Sequence, residues 1–132
     1  MQIVNFKPEH GVCLGDAEGK HAALAERGVA YTLMNGRPIF SCGAVVLWDG
    51  MAEAWFLTGT EAAKHPVSVV KTTMFLIADT IGKLKLHRLQ ATIDAENETA
   101  VRFAEALAFK REGLMQKFSP DGKDYYLYAR VI

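Results

Sequence analysis

The sequence predicts an α+β fold in which a mixed sheet is flanked by helices. Two tight-turn signals, Asn35-Gly36 and Asp49-Gly50, separate three strand-like segments and predict an antiparallel meander. Both positions of such a turn need a positive φ, which these residue types accept at low cost. A long helix over residues 66–85 follows the meander, and further strands and a shorter helix come after it. This order predicts a sheet of six to seven strands with helices packed on it.

The N-terminal part of the chain carries the weakest signals. The segment IVNF predicts a short strand, and Pro8 after it suits the first turn of a helix. Residues 20–27 are rich in alanine and end before Gly28, so we expect a helix there. The segment HGVCLGDAEG between them contains three glycines and gives no clear pattern.

In the middle of the chain, turn residues separate the predicted elements clearly. The three strands of the meander are AYTLM, PIFSCGAVVLW and AEAWFLT, and GTEAAKHP after them is a predicted loop. From Pro66 onward apolar residues recur at spacings of three and four, so one face of this helix should pack on the sheet. The apolar positions are Val67, Val70, Met74, Ile77, Ile81 and Leu84.

The C-terminal part predicts a strand, a helix and a hairpin. RLQATIDA is strand-like, and Asn97 is a good N-cap for a helix over residues 97–108. The apolar stripe of that helix is Ala100, Phe103, Ala104 and Leu107. The strands GLMQKF (113–118) and DYYLYARVI should form the last hairpin, because SPDG between them fits a type I turn.

Composition excludes several classes of protein. The 132 residues, half of them hydrophobic, are the usual size of one domain, so we take residues 1–132 as a single domain. Fifteen basic residues balance fifteen acidic ones, which argues against a partner that is nucleic acid or an anionic membrane. No secretory start is visible, and the apolar runs, of which MFLIA is an example, are too short to cross a bilayer. We expect a cytoplasmic protein.

The cysteines and histidines give no metal-binding pattern. Cys13 and Cys42 lie far apart in unrelated contexts, which favours a reducing compartment. His10, Cys13 and His21 do not follow a recognised ligand spacing, so we interpret them as scattered surface or loop residues.

Residues 97–131, NETAVRFAEALAFKREGLMQKFSPDGKDYYLYARV, resemble the C-terminal half of the GCN5-related N-acetyltransferase (GNAT) superfamily. In that superfamily an Asn opens a helix that ends in a Leu-Gly-Phe-like corner before a Tyr-rich last strand. The resemblance extends over residues 88–131, reaches residues 30–87 in element order, and leaves residues 1–29 as a shortened, poorly matching region. It is similar to shortened members carried by tailed bacteriophages. It implies that the strands around the long helix run parallel and splay apart into a V-shaped cleft.

The resemblance also implies a cofactor, acetyl-CoA, as acyl donor, and a set of residues that hold it. These residues are Leu57, Thr58, Gly59, Lys64, His65, Ser68, Asn97 and Phe103. Asn97 matches the Asn beside the pantetheine arm, and Lys64 matches the basic residue that begins the phosphate loop. The glycines of that loop are replaced by Val67 and Val69.

Three further positions of the C-terminal motif are informative, one that matches the family and two that differ from it. Phe109 matches the Phe of the corner, whereas Ala108 stands where the family usually has Gly. Ala104 occupies the position at which many members have a Tyr that protonates the departing thiolate. A side-chain acid at this position is therefore ruled out.

Acyl transfer to an amine needs a group that accepts the amine proton. Family members often place a Glu in the strand before the phosphate loop, which makes Glu53 the candidate base, on the same face as Trp55 and Leu57. A strand glutamate that merely faces solvent is the alternative. The expected acceptor is an amine of a small molecule or a protein.

Two other functions stay open at this stage. One is a catalytically inactive phage or virion-associated module that binds a phage structural protein. The other is a small-molecule binding domain that uses the cleft without transfer. A homodimer formed through the strand edge beside the last hairpin is also an open hypothesis.

Overall fold

A computed structural model describes all 132 residues as one seven-stranded mixed sheet with four α-helices. The strands are β1 (Gln2–Asn5), β2 (Gly28–Met34), β3 (Pro38–Trp48), β4 (Met51–Thr58), β5 (Arg88–Asp94), β6 (Lys110–Met115) and β7 (Tyr125–Val131). The helices are α1 (Pro8–Cys13), α2 (Lys20–Ala25), α3 (Pro66–Leu84) and α4 (Glu98–Ala106), and a 3₁₀ helix (Thr60–Lys64) precedes α3 in the predicted loop. The strand order is β1-β2-β3-β4-β5-β7-β6. The predicted α+β class and number of strands are confirmed.

Strands β4 and β5 are the one parallel pair in the sheet, and α3 connects them. They pair through three residue positions only, Met51↔Arg88, Ala52↔Leu89 and Glu53↔Gln90. Beyond Glu53 the two strands have no pairing with each other, and each keeps only its antiparallel neighbour on the other side. The predicted V-shaped splay around the long helix is therefore confirmed.

Helix α3 packs on the sheet through a face that the apolar pattern located only in part. Ile77 is buried as predicted, but Val67 is 64% exposed and Met74 is 37% exposed. The buried face includes two threonines, Thr73 and Thr80. Thr73 can lie in the core because its hydroxyl donates to Val69 O at 2.7 Å, which satisfies the polar group inside the helix. A count of apolar residues cannot detect such positions.

Helix α1 is anchored to the sheet by a buried polar contact at His10. His10 Nδ1 accepts the Lys7 N–H at 3.0 Å, so the Thr32 hydroxyl, 2.9 Å away, must donate to the same nitrogen. Ser41 then donates to Thr32 across the sheet at 2.9 Å. Burial lowers the pKa of His10. The interpretation of His10 as a surface or loop residue was wrong, since it is a buried link between α1 and the sheet.

The structure contains no disulfide and no cluster of metal ligands. Cys13 is exposed and Cys42 is buried, and neither forms a disulfide. No group of three His, Cys, Asp or Glu side chains is arranged to bind a metal ion. None of the helices combines the length and the apolar character needed to cross a membrane.

The turns and the last helix end differ in detail from the expectation. At the two hairpin turns only Gly36 (φ 75°) and Gly50 (φ 85°) have positive φ, so the expectation for both turn positions was wrong. Helix α4 ends at Ala106, and Ala108 adopts a left-handed conformation with φ 66°. The chain reverses there.

Because of this early reversal, β6 begins at Lys110 and not at Gly113, and the predicted strand over 113–118 was three residues late. The charged start of β6 is tolerated because β6 is an edge strand, where charged side chains reach water. The predicted turn at SPDG is confirmed by the Gly122 N–H, which donates to Ser119 O at 2.8 Å.

The left-handed Ala108 generates a test of stability. A residue with a Cβ costs roughly 1–2 kcal/mol in this conformation, and glycine returns about 0.5–1 kcal/mol of that through its freer unfolded chain. Ala108→Gly should therefore raise the free energy of unfolding in urea by about 0.5–1 kcal/mol. The control is Ala78→Gly, at an exposed position inside α3, which should lower it by about 1 kcal/mol. Equal destabilisation by both changes would contradict the observed geometry.

Candidate functional site

A pocket of about 440 Å³ occupies the gap between the diverging strands. Its volume is in the range of small-molecule sites. A cavity of about 20 Å³ between α3 and the sheet is far below that range. The larger pocket is lined by Phe56, Thr58, Gly59, Ala62, Ala63, Pro66, Val69, Val70, Ile93, Asn97, Thr99, Ala100, Phe103 and Ala104. None of these side chains is ionisable, so the pocket suits a neutral, largely apolar group.

The pocket walls also carry backbone hydrogen-bonding groups. Residues 54–58 of β4 and 91–94 of β5 face each other across the gap without strand pairing. Alternate N–H and C=O groups on these segments therefore have no strand partner and require water or a ligand. A ligand with peptide-like amides can pair with both walls.

The first turn of α3 lies at the mouth of this gap. His65 is the N-cap but makes no side-chain cap hydrogen bond, and Pro66 is the first helical residue. The first N–H groups of a helix have no intrahelical partner and attract anions. Ser68 lies in this turn and is half-buried. The arrangement offers an anion site next to the neutral pocket.

The two valines that replace loop glycines have different surroundings. Val67 projects into solvent and is 64% exposed. Val69 is 5% exposed and packs in a buried cluster with Phe40 and Leu76. The replacement of glycine therefore adds one solvent-facing side chain and one core side chain at the start of α3.

Lys64 is held away from the pocket by an ion pair. Its Nζ donates to Glu61 Oε1 at 3.1 Å, and Arg37 donates to the same oxygen. The hydrogen bonds from Lys64 and Arg37 lower the pKa of Glu61. Two cations and one carboxylate leave a net positive charge beside the start of α3, although the Lys64 side chain is 68% exposed.

Helix α4 contributes two of the predicted residues to the pocket. Asn97 Oδ1 accepts the Ala100 N–H at 3.1 Å, which confirms the predicted N-cap and leaves the amide nitrogen available. Phe103 packs edge-on against Phe40 and Phe56, with ring centroids 5.8 and 5.4 Å apart. This aromatic cluster joins α4 to β3 and β4 on the helix side of the gap.

Glu53 lies at the apex of the V, on the sheet face opposite the pocket lining of β4. It is in the last pair before the strands separate, and Gln90 Nε2 donates to Glu53 Oε1 at 2.9 Å. Trp55, two residues on, packs against Phe6 and His21 at centroid distances of 5.5 and 5.1 Å. Glu53 therefore lies where the two strands begin to separate, on the face of β4 opposite the residues that line the pocket.

The structure brings together only some of the predicted site residues. Thr58, Gly59, Asn97 and Phe103 line the pocket. Lys64, His65 and Ser68 lie at the start of α3 without lining it, and Leu57 shares the face of Glu53. Sequence reasoning missed Phe56 and Thr99. The two-residue period of a strand gives the signal for Phe56, because Phe56 and Thr58 must share a face that excludes Leu57.

No acid in the pocket replaces the missing tyrosine at Ala104. Tyr128 is the buried phenol on β7, but it does not line the pocket. Its hydroxyl accepts from Arg111 Nε at 3.0 Å and donates to Glu105 Oε2 at 3.0 Å. Burial raises the pKa of Tyr128. The two hydrogen bonds of the Tyr128 hydroxyl therefore link α4 to the last hairpin.

Of the comparisons with known proteins, only the one with solved structures found similar proteins. No protein-family model matches the sequence, and no curated protein matches it. Among solved structures, an IAA acetyltransferase from Bacillus cereus is similar at a TM-score of 0.80 and 12% identity, over 99% of both chains. A GNAT-family acetyltransferase from Bacillus anthracis is similar at a TM-score of 0.75 and 15% identity, over 98% of this chain and 93% of that one.

A third similar structure contains a cofactor. The microcin C7 self-immunity acetyltransferase MccE, in complex with acetyl-CoA and AMP, has a TM-score of 0.71 and 14% identity over 92% of this chain and 68% of that one. At these identities the similarity establishes the arrangement of the chain and not its chemistry. This chain therefore has the fold of the GNAT acetyltransferases.

Proposed function

We propose that the chain is an acetyl-CoA-dependent N-acetyltransferase whose acceptor is an amine of a small molecule or a protein. The observation that carries the proposal is the neutral pocket of about 440 Å³ between the splayed strands, which ends at the uncapped start of α3. A long ligand with a charged phosphate end and a neutral amide arm matches both parts. The similarity to a structure that holds acetyl-CoA supports this choice of ligand.

The residues of this chain would hold the ligand by different means. The first N–H groups of α3, near Ser68, would bind phosphate oxygens, with Lys64 and Arg37 adding positive charge nearby. The free backbone groups of β4 and β5 would pair with the amides of the arm. Asn97 and Thr58 are the polar side chains placed beside that arm.

Acetyl-CoA supplies the acetyl group as a thioester. In the transfer the amine nitrogen forms a bond to the carbonyl carbon, the C–S bond breaks, and the amine loses a proton. Glu53 at the apex would accept that proton, directly or through a water molecule. Because Ala104 has no acid and no ionisable side chain lines the pocket, the thiolate would take its proton from solvent.

The same lack of ionisable lining residues favours a second function, in which the fold is an inactive binding module. A phage structural protein is the partner that the sequence resemblance suggests for such a module, and a small-molecule binding domain is its simpler form. Both alternatives are separated from the enzyme by measurements of acetyl-CoA binding and of transfer.

The first test concerns the phosphate site at the start of α3. In Ser68→Asp the free energy of unfolding should stay equal or rise by about 0.3–1 kcal/mol, because an anion in the first turn favours the helix dipole. The same charge should weaken acetyl-CoA binding roughly tenfold or more, because like charges a few ångströms apart repel. Calorimetric titration measures the affinity and urea unfolding measures the stability.

The control for charge is Ala78→Asp, at an exposed position in the middle of the same helix. It lies about 15 Å along the axis from Ser68, beyond the screening length, so acetyl-CoA affinity should not change. If Ser68→Asp left the affinity for acetyl-CoA unchanged, the phosphates would have to bind elsewhere on the protein. No binding by the unmodified protein at millimolar acetyl-CoA would favour the binding module.

The second test concerns the proton acceptor. Glu53→Gln keeps the size of the side chain and should leave acetyl-CoA affinity nearly unchanged, while transfer slows by roughly a hundredfold, as for loss of a general base. Full activity in this variant would show that Glu53 is only a strand residue.

A further inference from the structure

A chain of four polar side chains runs from Glu53 across the sheet to β6. Gln90 Nε2 donates to Glu53 Oε1 at 2.9 Å, and Arg88 Nε donates to Gln90 Oε1 at 3.1 Å. The guanidinium of Arg88 also makes a two-point contact with Glu112, at 3.0 and 2.6 Å. Strands β4, β5 and β6 are therefore connected through side chains on the face where Glu53 lies.

The direction of each hydrogen bond in this chain is fixed by chemistry. Arginine has donors only, so the oxygen of the Gln90 amide must face Arg88. The NH₂ group of Gln90 then has to face Glu53, which removes the usual ambiguity of an amide side chain. A two-point contact with a carboxylate also fixes the plane of the guanidinium. Glu112 thus determines, through Arg88, how Gln90 presents its donor.

A backbone irregularity directs Glu112 toward this face. The register of β6 with β7 shifts between Arg111 and Gly113, which leaves Glu112 without a partner on β7. Such a bulge re-aims a side chain, and bulges are frequent next to active sites. Strand β7 lies between β5 and β6, so Arg88 must reach across it. The residue paired with Gln90 there is Ala129, whose small side chain leaves room.

We propose that Gln90 is a positioning residue for Glu53, and that Arg88 and the bulge residue Glu112 hold Gln90 in place. This inference rests on the proposed function. Gln90 binds Glu53 Oε1, and the structure shows no protein hydrogen bond to Oε2. The four side chains therefore hold one oxygen of Glu53 and leave the other free to accept a hydrogen bond from an incoming amine. Because β4 and β5 separate beyond this pair, no backbone pairing farther along holds the carboxylate at the apex.

The kinetic test uses a double-mutant cycle. Gln90→Leu should lower kcat by about 10- to 100-fold, because misplacing a reacting group by an ångström has effects of this size, while KM for acetyl-CoA stays within about twofold. Glu112→Gln should lower kcat several-fold in the unmodified protein. In the Gln90→Leu background it should have no further effect, because it acts through Gln90. The same factor in both backgrounds would overturn the proposal.

A matched control separates positioning from a general loss of stability. Asp79→Asn removes the carboxylate of another surface ion pair, Asp79–Lys83 at 2.8 Å on α3. We expect kcat to be unchanged in this variant. A fall in kcat as large as in Glu112→Gln would mean that loss of any surface ion pair is enough, and would overturn the proposal.

An NMR measurement tests the chain without any activity. The side-chain NH₂ signals of Gln90 should shift in Glu53→Gln and in Glu112→Gln, and stay in place in Asp79→Asn. If the unmodified protein transfers acetyl to no amine, the proposed function fails and this measurement decides alone. Shifts in both variants then support the chain of contacts, and Gln90 signals that stay in place in both overturn it.

Discussion

The short parallel pairing of β4 and β5 is the constraint on which the rest of the structure depends. Three residue pairs join the strands, and the last of them is Glu53↔Gln90. A longer pairing would close the gap and remove the pocket. A shorter one would leave the two halves of the sheet joined mainly through α3. The limited pairing therefore keeps the sheet continuous while opening a space between two of its central strands.

The open part of the sheet is stabilised by packing from the helix side. Phe103 of α4 contacts Phe40 and Phe56 of the first half of the sheet, while Ala104 of the same helix and its C-cap residue Leu107 pack in the main core. One helix thus bridges both sides of the gap. Edge-on aromatic pairs of this kind contribute about 0.5–1.5 kcal/mol each beyond the burial of area. The unpaired strand edges are tolerated because the walls are held at a fixed separation.

The two faces of the sheet at the apex have different chemistry. The helix side carries the neutral pocket and the start of α3, whereas the opposite face carries Glu53 and the chain through Gln90 to Glu112. This separation keeps a carboxylate close to the pocket without placing it in the apolar lining, where an unpaired charge is costly. The left-handed turn at Ala108 and the bulge at Glu112 both serve this arrangement, since they set where β6 begins and which way its side chains point.

The sequence by itself determined the elements whose signals are local. The Asn-Gly and Asp-Gly turns, the Asn97 cap and the order of strands and helices depend on neighbouring residues, and their chemistry can be read directly. The family resemblance carried by the residues after position 88 implied the fold and also the candidate residues at the start of α3. Where local signals were mixed, as on α3 with its buried Thr73 and exposed Val67, the prediction was partly wrong.

Only the tertiary structure decided how those elements form a site. The number of β4–β5 pairs, the face of β4 that lines the pocket and the contact between Arg88 and Glu112 all join residues that are distant in the chain. A strand presents its residues to two sides with a period of two, so the sequence alone cannot say whether Leu57 or Thr58 faces the gap. Likewise, burial of Val69 and of His10 results from packing against other elements, and no signal in the neighbouring residues specifies it.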